Sequence, residues 1–128
     1  MKIKLIFKKG GIQKEHHPIV KKYIHFLQEK LPLKKNLNIF FLLERVYDMT
    51  TGGNYEGTIF ILTKKRILRD ILRTLGHEWV HEYQTTILKK ETTQDIGGDN
   101  ENDANAISGK LIKIFEKENP SIEKLLYK

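Results

Sequence analysis

Cysteine is absent from the 128 residues of this chain. That excludes disulfides, thiolate zinc sites and a cysteine nucleophile. Any metal ion must then be held by His, Asp or Glu. Proline occurs three times and glycine nine times, and no repeat, low-complexity segment or linker interrupts the chain. No apolar run comes near the roughly 20 residues needed to cross a bilayer. The amino terminus, Met1-Lys2-Ile3-Lys4-Leu5-Ile6-Phe7-Lys8-Lys9, has too short an apolar part, too interrupted by Lys, for a signal peptide. These absences predict a cytoplasmic protein with no membrane partner.

What is present is an ordinary globular composition, 39% hydrophobic and 30% charged. The length suits one domain spanning residues 1–128, with a single core. A formal net charge of +7, from 23 Lys+Arg against 16 Asp+Glu, fits contact with nucleic acid, acidic partners or a membrane surface. The basic residues are scattered, as in Lys8-Lys9, Lys34-Lys35 and Lys64-Lys65-Arg66. No aromatic residues interleave with them as on a single-strand-binding surface. Solubility is the simpler reading of the charge, with nucleic-acid contact as the alternative.

Hydrophobic spacing divides the chain. Residues 2–8 read as a strand in which Ile3, Leu5 and Phe7 alternate with polar positions. His17 to about Leu31 reads as an amphipathic helix, with Pro18 in its first turn and Val20, Ile24, Leu27 and Leu31 on one side. Leu37 to Glu44 is a second strand, and its run Ile39-Phe40-Phe41-Leu42-Leu43 predicts a central position buried on both faces. A polar loop containing Gly52-Gly53 precedes a third strand, Tyr55 to Thr63. A long helix is predicted from about Arg66 to Leu88, a loop over 89–99, a second long helix from about Asn100 to Lys117, and a short helical tail. The order predicts an α+β domain, a small sheet packed on helices.

One segment carries chemistry: Gly76-His77-Glu78-Trp79-Val80-His81-Glu82-Tyr83-Gln84. Residues four apart lie one turn apart on one helix face, so His77 and His81 can reach the same ion. Glu78 is the next residue round the helix and can take a proton from a metal-bound water. A shuffled chain of this composition would give roughly 0.02 such patterns. The surrounding Leu68, Ile71, Leu72, Leu75, Trp79 and Tyr83 recur at helical spacing and mostly point away from the two His. Gly76 costs about 1 kcal/mol of helix propensity relative to Ala, so something should pack closely against it. Gln84, three residues past His81, should face the metal side.

Catalytic zinc usually takes three protein ligands. No third His follows closely, which leaves Glu82, Glu91, Asp95, Asp99, Glu101 and Asp103. Glu82 falls on the wrong side of the helix, and Glu91, Asp95 and Asp99 fall in the predicted loop. Glu101 opens the next helix, where Ala104 and Ala106 would permit close approach and Asn105 could hydrogen-bond a ligand imidazole. An acidic residue at a helix start also favours the helix macrodipole, so capping is the competing reading of Glu101.

His77-Glu78-x-x-His81 followed by Glu101-x-x-Ala104-Asn105 resembles the gluzincin branch of the zincin metallopeptidases. The run Glu-x-x-Ala-Asn is similar to that of the ImmA/IrrE-type peptidases. The resemblance covers about residues 66–115. It implies a zincin-like fold, in which a small mixed sheet packs against an active-site helix and a following glutamate-bearing helix. It further implies Zn2+ held by His77, His81 and Glu101, Glu78 as general base, and a protein or peptide substrate paired along the strand Tyr55 to Leu62. Tyr47 and Tyr55 are candidates for stabilising the oxyanion. Two other readings stay open. One is a zinc-bound but inactive interaction module, associated with nucleic acid through its basic surface. The other is a structural protein in which the motif is accidental.

Overall fold

The alternating residues near the amino terminus form β1 (Ile3–Phe7), and the next apolar run forms β2 (Leu37–Leu42). The computed structural model describes residues 2–46, 49–55, 57–88 and 99–128. Between the two strands runs α1 (His17–Lys30), which buries Val20, Tyr23 and Leu27 completely. β1 and β2 are parallel, with Ile3 opposite Leu37 and Phe7 opposite Phe41, so α1 is the crossover that parallel pairing requires. Then come β3 (Gly52–Tyr55), β4 (Thr58–Leu62), α2 (Leu68–Thr86), α3 (Asp99–Glu118) and a short α4 (Glu123–Leu126). The sheet order is β1-β2-β4-β3, with β4 parallel to β2 and β3 antiparallel to β4. A mixed four-stranded sheet with four helices agrees with the predicted α+β class. Among the described residues, no helix is long and apolar enough to cross a membrane.

One face of the sheet supplies the core. Leu37, Ile39 and Phe41 of β2 and Ile59 and Ile61 of β4 are buried together with Leu72, Leu75 and Trp79 of α2 and Ile112 and Phe115 of α3. Burying each such side chain is worth about 1.5–3 kcal/mol. Trp79 also anchors α2 to the end of α1, its indole N–H donating to the Leu31 carbonyl at 2.9 Å. The C-terminal segment returns to the start of α2, where the Leu68 amide donates to the Lys128 carbonyl at 3.0 Å. That acceptor satisfies one of the free amides at a helix N-terminus.

Two expectations need correction. β2 is central by pairing, but it is not buried on both faces. Asn38 is exposed, Phe40 is half-buried, and Phe40 stacks on Phe60 with ring centroids 5.6 Å apart on the other side of the sheet. The predicted strand Tyr55 to Thr63 is present as the shorter β4, while Tyr55 belongs to β3, and the two form a hairpin. Gly57, at φ +83, sits in the turn that sets Tyr55 opposite Thr58, and the supposed loop Gly52-Gly53 pairs with Ile61 and Phe60 as the edge strand. Glycine has weak strand propensity, so only the partner strand creates β3.

Gly76 meets the close packing expected of it. A Cβ there would stand 3.1 Å from the Tyr23 hydroxyl and 3.7 Å from Ser108 Cβ. Tyr23 is fully buried, packed against Phe115 at 4.8 Å, and its hydroxyl has no hydrogen-bond partner among the described residues. Gly76→Ala should therefore destabilise the protein by about 1–2 kcal/mol despite the better helix propensity. In a Tyr23→Phe background the same substitution should stabilise it. Denaturant unfolding of the two single variants and the double variant reads this coupling directly.

Candidate metal centre

α2 presents His77 and His81 one turn apart, because its other face is committed to the core through Leu68, Ile71, Leu72, Leu75 and Trp79. α3 packs alongside. It approaches through Ala104 and Ser108, both buried, with Leu111, Ile112 and Phe115 continuing the contact stripe. Ala106, expected to help, is exposed. Small buried residues at i and i+4 bring the first turn of α3 to the two imidazoles. Glu101 meets them there, with Oε1 2.7 Å from His77 Nε2 and Oε2 2.9 Å from His81 Nε2. The two Nε2 atoms are themselves 3.0 Å apart. His77, His81 and Glu101, each partly buried, therefore form a group that could hold a metal ion.

The protonation chemistry agrees. His81 Nδ1 lies 3.0 Å from Gln84 Oε1. An amide oxygen only accepts, so Nδ1 is the donor of this bond, and Nε2 is the ring atom that faces His77 and Glu101. Burial, then His81, and to a lesser degree Arg73 press the His77 pKa below its usual value, against the opposing pull of Glu101. Two imidazoles and a carboxylate converging on one point make a cation-binding donor set. Asn105, expected to orient a ligand imidazole, is exposed, and its side chain makes no hydrogen bond among the described residues; only its carbonyl is engaged, by Ser108 Oγ at 3.2 Å. Gln84 holds the imidazole instead, and its i+3 spacing from His81 was the signal. Gln84→Ala should weaken metal binding by about 10–100-fold, as losses of such supporting hydrogen bonds do; competition against a chromophoric chelator measures it.

Glu78 lies beside this group, 6% exposed. Its carboxyl pKa is pushed up to about 8, by burial first and then by Glu101 and Glu82. Part of that burial comes from β3. A Cβ on Gly52 would stand 2.6 Å from Thr74 Cγ2 and 3.3 Å from Glu78 Cγ. The edge strand thus lies directly on α2 at the level of Glu78, which only glycine permits. Two residues on, Asn54 Nδ2 donates to Glu82 Oε1 at 3.3 Å, and Lys35 Nζ pairs with Glu82 Oε2 at 2.7 Å. Glu82, one turn beyond Glu78 on the same face of α2, stays outside the group formed by His77, His81 and Glu101, as expected, and ties the edge strand down.

The helices and β3 enclose a cavity of about 980 Å³ that reaches His77, Glu78, His81 and Glu101. Tyr55 lines it and is 68% exposed. Tyr47, Glu91 and Asp95 lie outside the described residues, as does the Asp99 side chain. Asp103 is exposed on α3 and is not in the metal-binding group. The remaining His are elsewhere: His16 is buried, His17 stacks on Phe7 at 3.7 Å, and His25 pairs with Glu29 at 3.0 Å. Sequence reasoning missed Gly52 and Arg73. Arg73 had a signal, standing one turn before His77; the contact of Gly52 with α2 had none. Comparison with protein-family models, with curated proteins and with solved structures returns no match.

Proposed function

We propose that the protein is a zinc-dependent peptidase with a zincin-like fold of the gluzincin type. The observation that carries this reading is the convergence of His77, His81 and Glu101 beside the buried Glu78, in a cavity bordered by an edge strand. Zinc suits the donor set, which lacks sulfur and has two imidazoles and one carboxylate. Ligand atoms sharing one zinc at about 2.0–2.1 Å stand on the order of 3.4 Å apart. The observed separations of 2.7, 2.9 and 3.0 Å need only a small outward shift.

Bound zinc would lower the pKa of a water and polarise the scissile carbonyl. The chain supplies the rest. Glu78 accepts a proton from that water and passes it to the leaving amine. Its burial beneath Gly52 excludes bulk water and raises its basicity. β3 pairs with β4 on one side, and its other side offers main-chain groups to an extended substrate. The sequence resemblance assigned that role to residues 55–62; the sheet order gives the edge to Gly52–Tyr55.

The test is cleavage of a peptide library by zinc-loaded protein, read by mass spectrometry, with chelation and zinc restoration as controls. Cleavage that follows the metal supports the reading. Uncleaved peptides together with salt-sensitive DNA binding would favour an inactive nucleic-acid module instead.

A further inference from the structure

Two arginines line the cavity. Arg66 is committed to the fold. Its guanidinium donates to the Leu62 carbonyl at 2.6 Å, the Asp70 carbonyl at 2.9 Å and Thr74 Oγ1 at 2.6 Å. Arg73 is placed differently. It is exposed, and among the described residues no hydrogen bond or ion pair holds it. Asp70, one turn away on the same helix and also lining the cavity, makes no ion pair with it.

The position of Arg73 is defined by two helices. On α2 it stands four residues before His77, one turn along the same face, so the row along the cavity is Arg73, His77, His81. On α3 its partner is Gly109, where a Cβ would stand 3.8 Å from Arg73 Nη2. The guanidinium therefore lies against α3 next to Ser108, which lines the cavity with it. One helical turn is about 5.4 Å, and one residue of an extended peptide is about 3.3 Å. A chain lying along β3 with its scissile bond at the metal-binding group would therefore bring its first or second flanking residue, about 1.6 residues away by these spacings, within reach of Arg73.

We propose that Arg73 is a specificity-determining residue that binds a substrate carboxylate on the first or second residue flanking the scissile bond, an inference that rests on the peptidase reading. A guanidinium presents a planar fork that matches a carboxylate in two parallel hydrogen bonds. The +7 net charge favours the approach of acidic peptides. The carboxylate has two sources: the side chain of Asp or Glu, or the carboxyl end of the peptide.

The experiment separates these sources and separates recognition from hydrolysis. Dansylated alanine hexapeptides carry one Glu or one Gln at each position in turn, as free acids and as carboxyl-terminal amides. Their binding to zinc-loaded Glu78→Gln protein is followed by fluorescence anisotropy, and their cleavage by the unsubstituted protein by mass spectrometry. The expected result is a preference of about tenfold or more for one carboxylate source. Glu over Gln identifies the side chain, and acid over amide identifies the chain end. Arg73→Ala should reduce that ratio to near unity, and Arg73→Lys should keep part of it. A ratio near unity before substitution, a ratio unchanged by Arg73→Ala, or an equal fall in the distant Lys21→Ala control would overturn the proposal. If the Arg73-dependent preference is seen without cleavage, the peptidase reading fails while the carboxylate site stands. Cleavage without the preference sinks the carboxylate site alone.

Discussion

Glu78→Gln is expected to retain the metal while peptide hydrolysis falls by about 10³-fold or more. A positioned general base contributes about 10²–10⁴-fold, and under the proposed mechanism neither of the two carboxylates nearest Glu78 among the described residues is placed to replace it. Glu101 is held between His77 and His81, and Glu82 is turned away toward Asn54 and Lys35. The substitution keeps shape, so the contact with Gly52 survives and His77, His81 and Glu101 stay in place. Metal content and turnover must be measured on the same preparation. Hydrolysis that persists in the metal-loaded variant would remove Glu78 from the mechanism.

The same substitution has a second readout, in chelator-treated protein. Burial pushes the Glu78 carboxyl up to about 8 from an ordinary 4.5. The folded state therefore holds this proton over a pH range where the unfolded state has released it. By linkage, stability is highest below the unfolded pKa and is lost as pH rises through the folded one. Gln cannot ionise and carries no such loss. At pH 8, Glu78→Gln should be more stable than the unsubstituted protein by on the order of 4 kcal/mol, with the difference vanishing near pH 4.5. Thermal unfolding at the two pH values reads it.

Glu101→Gln is expected to reduce metal affinity by more than about 100-fold, beyond the range for supporting residues. The neutral amide keeps the size of the side chain and its place in the first turn of α3. It removes the anion that meets both imidazoles. If Glu101 served only to complement the helix macrodipole, the same change would cost about 0.3–1 kcal/mol of stability and leave metal affinity untouched. Metal competition and unfolding on one variant therefore discriminate the two roles.

What the sequence made legible was local. The His77–His81 spacing, the apolar face of α2 and the close approach at Gly76 follow from helical periodicity, and all three are present. Glu101 was reachable because a third member of a metal-binding group had to come from an acidic residue, and a helix start is a rigid place to hold one. The illegible features depend on partners distant in sequence. β3 has no strand signal of its own, since Gly52-Gly53 reads as a turn until β4 pairs with it. The contact of Gly52 on Glu78 depends on the sheet order β1-β2-β4-β3, which places an edge strand over α2. The exchange of Ala106 for Ser108 in the helix contact reflects rotation. A two-residue error moves a position by about 200° around α3 at 3.6 residues per turn. Asn105 and Gln84 differ in a similar way. Both were read toward the site, but only Gln84 shares a helix with His81 at a spacing that fixes its distance.

A two-His, one-Glu centre is tested most directly by metal analysis of untagged protein purified without chelator. About one zinc per chain is expected, falling to none in the His77→Ala/His81→Ala variant while the fold persists. Absence of stoichiometric zinc in the unsubstituted protein, or zinc retained after both His are removed, would contradict it.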